Sequence, residues 1–337
     1  MKERNTSLDA MKGFAILLVM IGHVLEWNEM TDPYLYAFIE AVQMPIFIML
    51  NGYICGLKLP ITNFGQWKNT ISKRATAYVV PFFMWLLLKQ WDDIIRGFKN
   101  ALFQLDRALW FLMTLFILNV ILYTAQLLSN KFRKNGKLQG FIAFGIAVGM
   151  LSTIFVGQLI LKNRFLSPIL TLRYLPAFII GYLVSAYKED IVKLVHKNLQ
   201  LVAFVSSIVL FIYMCVIVDT QIQKPFVILG IQIFEGLIGS YIIFYIFLKS
   251  KESVIKEKLA RLGKYTLEIY VIHFHFARIL NRGHLDFGLY SIKGILFVIA
   301  SFVAMSITTA ALIYMAKQSP LTNFLMFGKR SSQKSKG

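Results

Sequence analysis

The chain passes from water-facing charges into an apolar helix within residues 4–23, RNTSLDAMKGFAILLVMIGH. At about 100° per residue, one stripe of such a helix carries Asp9, Lys12 and His23. At a rise of about 1.5 Å per residue, Lys12 and His23 lie about 16 Å apart along the axis, roughly half the hydrocarbon thickness of a bilayer. An ionisable side chain at that depth is costly and usually faces a cavity or a partner. The stretch therefore predicts a membrane-spanning helix with a functional histidine near the midplane.

The composition of the whole chain indicates a polytopic membrane protein. Of its 337 residues, 57% are hydrophobic and 16% are charged, whereas a soluble domain carries about 25% charged residues. Apolar runs of about 15–22 residues recur along the length. The candidate spans are roughly Phe14–Trp27, Ala37–Leu57, Ala75–Leu88, Ala108–Leu128, Phe141–Leu161, Leu175–Ala186, Leu201–Val218, Phe226–Leu248, Tyr265–Ala277 and Ile292–Ala316. We expect an all-α fold of about ten transmembrane helices, with one membrane domain over residues 1–327.

The formal charge of +19 follows the predicted topology. More than two thirds of the 36 Lys and Arg residues fall in the N-terminus, in alternate loops and in the C-terminal tail. By the positive-inside rule these segments are cytoplasmic, which places both termini inside and makes residues 328–337 a basic, disordered cytoplasmic tail. The basic character is thus explained by the lipid bilayer as a partner, and we expect no nucleic-acid binding.

Cysteine and histidine are too sparse to predict a metal centre or a disulfide framework. Cys55 and Cys215 both lie inside apolar runs, and we interpret them as lone buried thiols. The five histidines show no metal-ligand spacing, and no nucleotide-binding glycine loop appears. We expect no metal and no permanently bound cofactor.

The opening stretch resembles the N-terminal signature of the membrane acyltransferase-3 family, in which a basic residue precedes an essential histidine by eleven positions. Lys12 and His23 have this spacing. A second specific match is LGKYTLEIYVIH at residues 262–273, which is similar to the family's late signature. Less specific matches keep the family's order at residues 43–53, 73–81, 109–112 and 174–182. The family often has His and Ser where this chain has Gln43 and Asn51, and both replacements keep hydrogen-bonding capacity.

The resemblance implies a multi-pass enzyme of the bacterial cell membrane, an acyl-coenzyme A-dependent O-acyltransferase. Its donor would be acyl-CoA, with acetyl-CoA the expected form, and its acceptor a hydroxyl of a cell-surface polysaccharide or a lipid-linked glycan. Coenzyme A carries several phosphates, which suit basic side chains at a cytoplasmic mouth. We expect Lys12 and Arg74 to contact these phosphates, with Asp9 holding Lys12 at i, i+3. For both cations the alternative is an ordinary juxtamembrane charge.

His23 is the candidate catalytic residue. A neutral imidazole is a suitable general base at cellular pH and can take the proton of a sugar hydroxyl as that oxygen attacks the thioester. Two alternatives stay open: His23 carries the acyl group covalently, or it is a structural histidine bonded to another helix. Glu26, one turn further on, is either an orienting partner or, as we favour, an interfacial charge.

Four further residues are candidates for a substrate cavity. His273 lies about 13 Å into the ninth predicted span, at a depth comparable to that of His23, and Tyr270 shares its helical face. Glu268 lies about 140° away from His273, so the two do not form a dyad. Trp110 offers an indole for stacking on a sugar or adenine, although packing explains most aromatic residues in such a chain. The alternative for the polar side chains is interhelical contact.

Two rival functions fit the same features. A transporter or flippase of a glycan or lipid-linked precursor also uses a midplane histidine and basic mouths. A non-catalytic subunit of a polysaccharide exporter is the second rival. Transfer of labelled acyl groups to glycan distinguishes an enzyme from both.

Overall fold

The computed structural model describes residues 5–105, 109–132, 136–161, 165–188, 197–218, 225–281, 283, 285 and 287–329. Within these ranges the chain forms helices and turns, and no strand occurs. The α-helices are α1 (Thr6–Trp27), α2 (Pro33–Gly56), α3 (Phe64–Lys89), α4 (Ile94–Phe103), α5 (Trp110–Leu128), α6 (Gly136–Leu161), α7 (Pro168–Ala186), α8 (Lys197–Tyr213), α9 (Pro225–Lys249), α10 (Val254–Leu262), α11 (Thr266–Ile272), α12 (Ile292–Lys317) and α13 (Pro320–Phe327). Most of the predicted tail, residues 330–337, lies outside the described residues.

Nine helices of the described part are long and apolar enough to cross a membrane. They are α1, α2, α3, α5, α6, α7, α8, α9 and α12, with a 3₁₀ turn or a π-helical turn extending two of them. Each corresponds to one predicted span. The prediction of an all-α polytopic membrane protein is therefore confirmed.

The ninth predicted span, Tyr265–Ala277, does not form one of these long apolar helices. Helix α10 is followed by a 3₁₀ turn at Gly263–Tyr265, the short helix α11 and a second 3₁₀ turn at His273–Phe276. Three ionisable side chains, Glu268, His273 and His275, interrupt this run. The apolar stretch is consequently shorter than in the other spans.

The segment from Gly263 to Ala277, the interrupted helix, nevertheless runs along the length of α1. Gly263 touches the backbone of Asp9 near the start of α1, and the Asn28 amide just past its end donates to the carbonyl of Ala277 at 2.9 Å. Asp9 and Asn28 are about 28 Å apart along a helix axis, and Gly263 to Ala277 extends about 21–28 Å depending on its share of 3₁₀ geometry. The segment is thus long enough to be the tenth crossing, parallel to α1.

The chain divides into two compact units, and two of the three boundaries between them fall inside α2 and α12. The first comprises Met1–Leu50 and Asp190–Met315, and the second comprises Asn51–Glu189 and Ala316–Gly337. The N-terminal and late signatures belong to the first unit. Arg74 and Trp110 belong to the second.

Glycines set the spacing of α1 and α10 in the first unit. A side chain at Gly13 would overlap the Leu259 carbonyl, and one at Gly263 would overlap the Asp9 carbonyl. The two backbones are therefore in direct contact, which only residues without a β-carbon permit. This contact fixes the register of the late signature along α1.

A short C-terminal helix packs on α3 in the second unit. The Trp85 indole donates to the Met326 carbonyl at 3.0 Å, and Gly328 ends α13 with a φ of 64°, close to the Thr76 carbonyl. Glycine adopts that left-handed conformation without steric cost. The chain is thereby held against α3 as far as Gly328.

Candidate active site

The first charged group of the site is the pair of Asp9 and Lys12 at the start of α1. The Asn5 side chain caps this helix by accepting from the Leu8 amide at 3.1 Å. One turn later, Lys12 Nζ lies 3.2 Å from Asp9 Oδ1, at the i, i+3 spacing seen in the sequence. Asp9 is buried, whereas the Lys12 side chain is 22% exposed. The pair leaves the ammonium accessible while the carboxylate anchors it.

His23 and His273 lie side by side in the first unit. Their ring centroids are 5.2 Å apart with the planes inclined at 34°. The His23 side chain is 32% exposed, whereas His273 is completely buried. Asn28 holds the two segments together, since its amide donates to both the Val24 and the Ala277 carbonyls. The structure thus brings the histidines of the two signatures together.

The His273 ring is fixed by its own helix. Its Nδ1 lies 2.8 Å from the Ile269 carbonyl, and because a carbonyl only accepts, we assign the proton to Nδ1. In a neutral ring Nε2 then carries the lone pair, and it has no hydrogen-bond partner among the described residues. The Tyr270 ring lies 6.3 Å from the His273 ring. His273 is completely buried, and its contact with the rest of the site is through the His23 ring.

Glu268 does not join this group. It is completely buried on α11, five residues before His273, at the angular separation that the sequence predicts for a different face. Its structural position agrees with the interhelical alternative. The prediction that it lines a substrate cavity stays a prediction.

Glu26 contacts His23 directly, although the sequence favoured an interfacial charge at this position. Glu26 Oε2 lies 3.3 Å from His23 Nδ1, and the Tyr36 hydroxyl of α2 lies near enough to interact with the same carboxylate. Its side chain is 48% exposed, which is consistent with an end-of-helix position. The signal that indicates the contact is the i, i+3 spacing, which brings side chains on one helix within reach.

Arg74 lies in a polar cluster of the second unit. Its guanidinium donates to the Tyr78 and Tyr123 hydroxyls, each at 3.3 Å, and approaches the Cys55 sulfur at 3.6 Å. These three partners are neutral, and none of the ion pairs among the described residues includes Arg74. The cluster continues through Asn51, which donates to Tyr78 at 3.0 Å. A guanidinium among neutral acceptors keeps its charge available for an anion.

Lys58 adds a second positive charge near Arg74. It follows the end of α2, and burial together with the positive charge of Arg74 lowers its pKa from the usual lysine value. Like charges placed close together favour a bound anion between them. Cys55 and Cys215 are both buried, and neither is in a disulfide.

Trp110 is engaged in packing. Its indole stacks on the Tyr174 ring with centroids 5.2 Å apart and an inclination of 17°. Arg173 covers Tyr174 in turn, 5.3 Å from the ring centroid. One face of the Trp110 ring is therefore already covered within the second unit, which favours the packing alternative.

Comparison with known proteins gives a family match over nearly the whole chain. A family model described as an acyltransferase domain matches residues 5–315. Both signatures and the Arg74 cluster lie within the matched region. No curated protein and no solved structure matches the chain.

Proposed function

The chain belongs to the acyltransferase-3 family of membrane proteins, and from that premise we propose an acyl-CoA-dependent O-acyltransferase of the bacterial cell membrane. The acyl group, acetyl being the expected one, goes from acyl-CoA to a hydroxyl of a cell-surface polysaccharide or a lipid-linked glycan. The observation that carries the proposal is His23, a partly exposed imidazole in the last two turns of the apolar helix α1 and in contact with His273. A group of this kind in a membrane span is costly and marks a functional site.

In the proposed reaction, His23 Nε2 takes the proton of the acceptor hydroxyl as its oxygen attacks the thioester carbonyl carbon. The carbon–sulfur bond breaks, and the coenzyme A sulfur leaves with the proton that His23 returns. The products are the O-acyl ester and coenzyme A. In the covalent variant, Nε2 itself attacks the thioester carbonyl carbon, and the carbon–sulfur bond breaks with release of the coenzyme A thiolate. The acceptor hydroxyl then attacks the acyl-imidazole, the carbon–nitrogen bond breaks, and the hydroxyl proton passes to the coenzyme A sulfur.

We assign donor-phosphate contacts to Lys12 in the first unit and, separately, to Arg74 in the second. Lys12 is paired with Asp9, and its side chain is partly exposed. Arg74 has neutral partners and the neighbouring charge of Lys58. Coenzyme A is too polar to cross a bilayer, so these contacts belong to the cytoplasmic side, where basic loops are expected.

Acyl transfer by purified protein in nanodiscs tests the role of His23. Labelled acetyl-CoA and glycan-bearing acceptor membranes are supplied, and label on the glycan is counted. Loss of a general base typically costs about 10²–10⁴-fold in rate, so His23→Gln and His23→Asn should both be nearly inactive. His275→Gln is the matched control, because His275 is exposed and close to His273 in the chain.

Turnover of His23→Gln at the wild-type rate contradicts the proposed chemistry. Movement of glycan across the bilayer without label transfer identifies the protein as a transporter. Succinyl-CoA supplied in parallel tests the acyl preference. A labelled acyl-enzyme that is lost in His23→Gln distinguishes the covalent variant from direct attack.

A further inference from the structure

We propose that Glu26 is a positioning residue that acts through His23, with Tyr36 holding its carboxylate in place. The inference rests on the proposed acyl transfer and deepens it. The geometry consists of a carboxylate oxygen 3.3 Å from His23 Nδ1, and a tyrosine hydroxyl interacts with the same carboxylate. Glu26 touches neither donor nor acceptor in this role.

The contact selects one tautomer of His23. A carboxylate accepts hydrogen bonds only, so the proton of the neutral ring belongs on Nδ1 and the lone pair on Nε2. Without Glu26, the proton can sit on either nitrogen and the ring can turn about its side-chain bonds. Glu26 thus presents Nε2 as the base in every turnover.

The same contact favours the protonated ring that forms during the reaction. When Nε2 takes the hydroxyl proton, the imidazolium lies beside the Glu26 carboxylate, and a charge-assisted hydrogen bond replaces a neutral one. A buried carboxylate behind an imidazole base contributes up to about 10⁴-fold in rate. Glu26 is 48% exposed, so we expect an effect of about 10- to 100-fold.

The charged and titratable groups around His23 are few among the described residues. On its own helix the ring meets Glu26, and from the second 3₁₀ turn it meets His273. From α2, Tyr36 interacts with Glu26, and the charge of Glu40 acts on Tyr36. Glu26 is the one anion in direct contact with His23 within this set.

The separate effects on kcat and on KM distinguish a positioning role from a structural one. Glu26→Gln is compared with Glu29→Gln, an exposed carboxylate three residues further on, in the nanodisc assay. We expect Glu26→Gln to lower kcat about 10- to 100-fold with the KM for acetyl-CoA unchanged. Glu29→Gln should match the wild type.

A Glu26→Gln protein with the wild-type kcat, or one whose loss of rate comes from a raised KM for acetyl-CoA, overturns the inference. The proposed function is judged separately, since it depends on loss of activity in His23→Gln. Nitrogen-15 histidine NMR on the wild-type protein provides a second measurement that needs no Glu26 variant to fold. The His23 signals, assigned by their loss in His23→Gln, should show the proton on Nδ1. A proton on Nε2 in the neutral ring also overturns the inference.

Discussion

Replacement of Gly13 by Ala tests whether the backbone contact between α1 and α10 positions the histidines. The added methyl carbon would lie 2.7 Å from the Leu259 carbonyl carbon and 3.1 Å from its α-carbon, with the carbonyl oxygen closer still. Ordinary contacts of a β-carbon begin at about 3.4 Å. Because the obstacle is backbone, the helices must separate by about 1 Å to accept the methyl group.

Two consequences have known magnitudes. Overpacking of this kind costs about 1–3 kcal/mol of folding free energy, and a displacement of about 1 Å at a reacting group costs about 10²-fold in rate. The late signature that carries His273 begins at this contact, so the displacement reaches the histidine pair. We therefore expect Gly13→Ala to be both less stable and about 100-fold slower.

Thermal aggregation in detergent measures the stability, and acyl transfer in nanodiscs measures the rate. Gly149→Ala is the matched control, because no atom lies within 4 Å of the added methyl group and alanine favours the helix by up to about 1 kcal/mol. A Gly13→Ala protein that equals Gly149→Ala in both measurements refutes the contact. A destabilised protein with a normal rate refutes only its link to the histidine pair.

Three further predictions concern His273, the donor site and the topology. His273→Asn should keep the bond to the Ile269 carbonyl and the melting temperature but lower the rate, whereas His273→Leu should lower both; equal melting temperatures would contradict the assigned Nδ1 proton. Lys12→Ala and Arg74→Ala should each weaken coenzyme A binding by about 1–3 kcal/mol with acceptor affinity unchanged; unchanged calorimetric affinity returns both to ordinary juxtamembrane charges. Cysteine reporters in a background without native cysteines should react with impermeant reagents from outside at Tyr290 but not at Lys258. Labelling on the same side at both positions would rule out the interrupted helix as a crossing.

The long apolar helices could be predicted because their signal is local. Runs of uninterrupted apolar residues give α1, α5 and α12 their length, and no distant contact is needed to recognise them. The interruption near Gly263 is different. There Gly263 contacts the backbone of Asp9, and nothing in the periodicity of either segment indicates that they meet.

The candidate site divides in the same way. The stripe of Asp9, Lys12 and His23 follows from spacing along one helix, and the Asp9–Lys12 pair lies at that spacing. The contact of His23 with His273 depends on packing between segments far apart in the chain, which spacing cannot supply. Glu26 was underrated because a charge at a helix end has an ordinary interfacial explanation that does not depend on its neighbours.

The hydrogen bond between Asn28 and Ala277 has a consequence for how the protein is made. Its two residues are 249 positions apart in the chain. At a synthesis rate of about 5–20 residues per second, Ala277 is added about 12–50 s after Asn28. During that interval α1 is already in the membrane with an acid, a lysine and a histidine that have no late segment beside them. The nascent chain therefore passes through a period in which α1 lacks its contacts with the late segment. Chains interrupted before Gly263 never assemble the histidine pair.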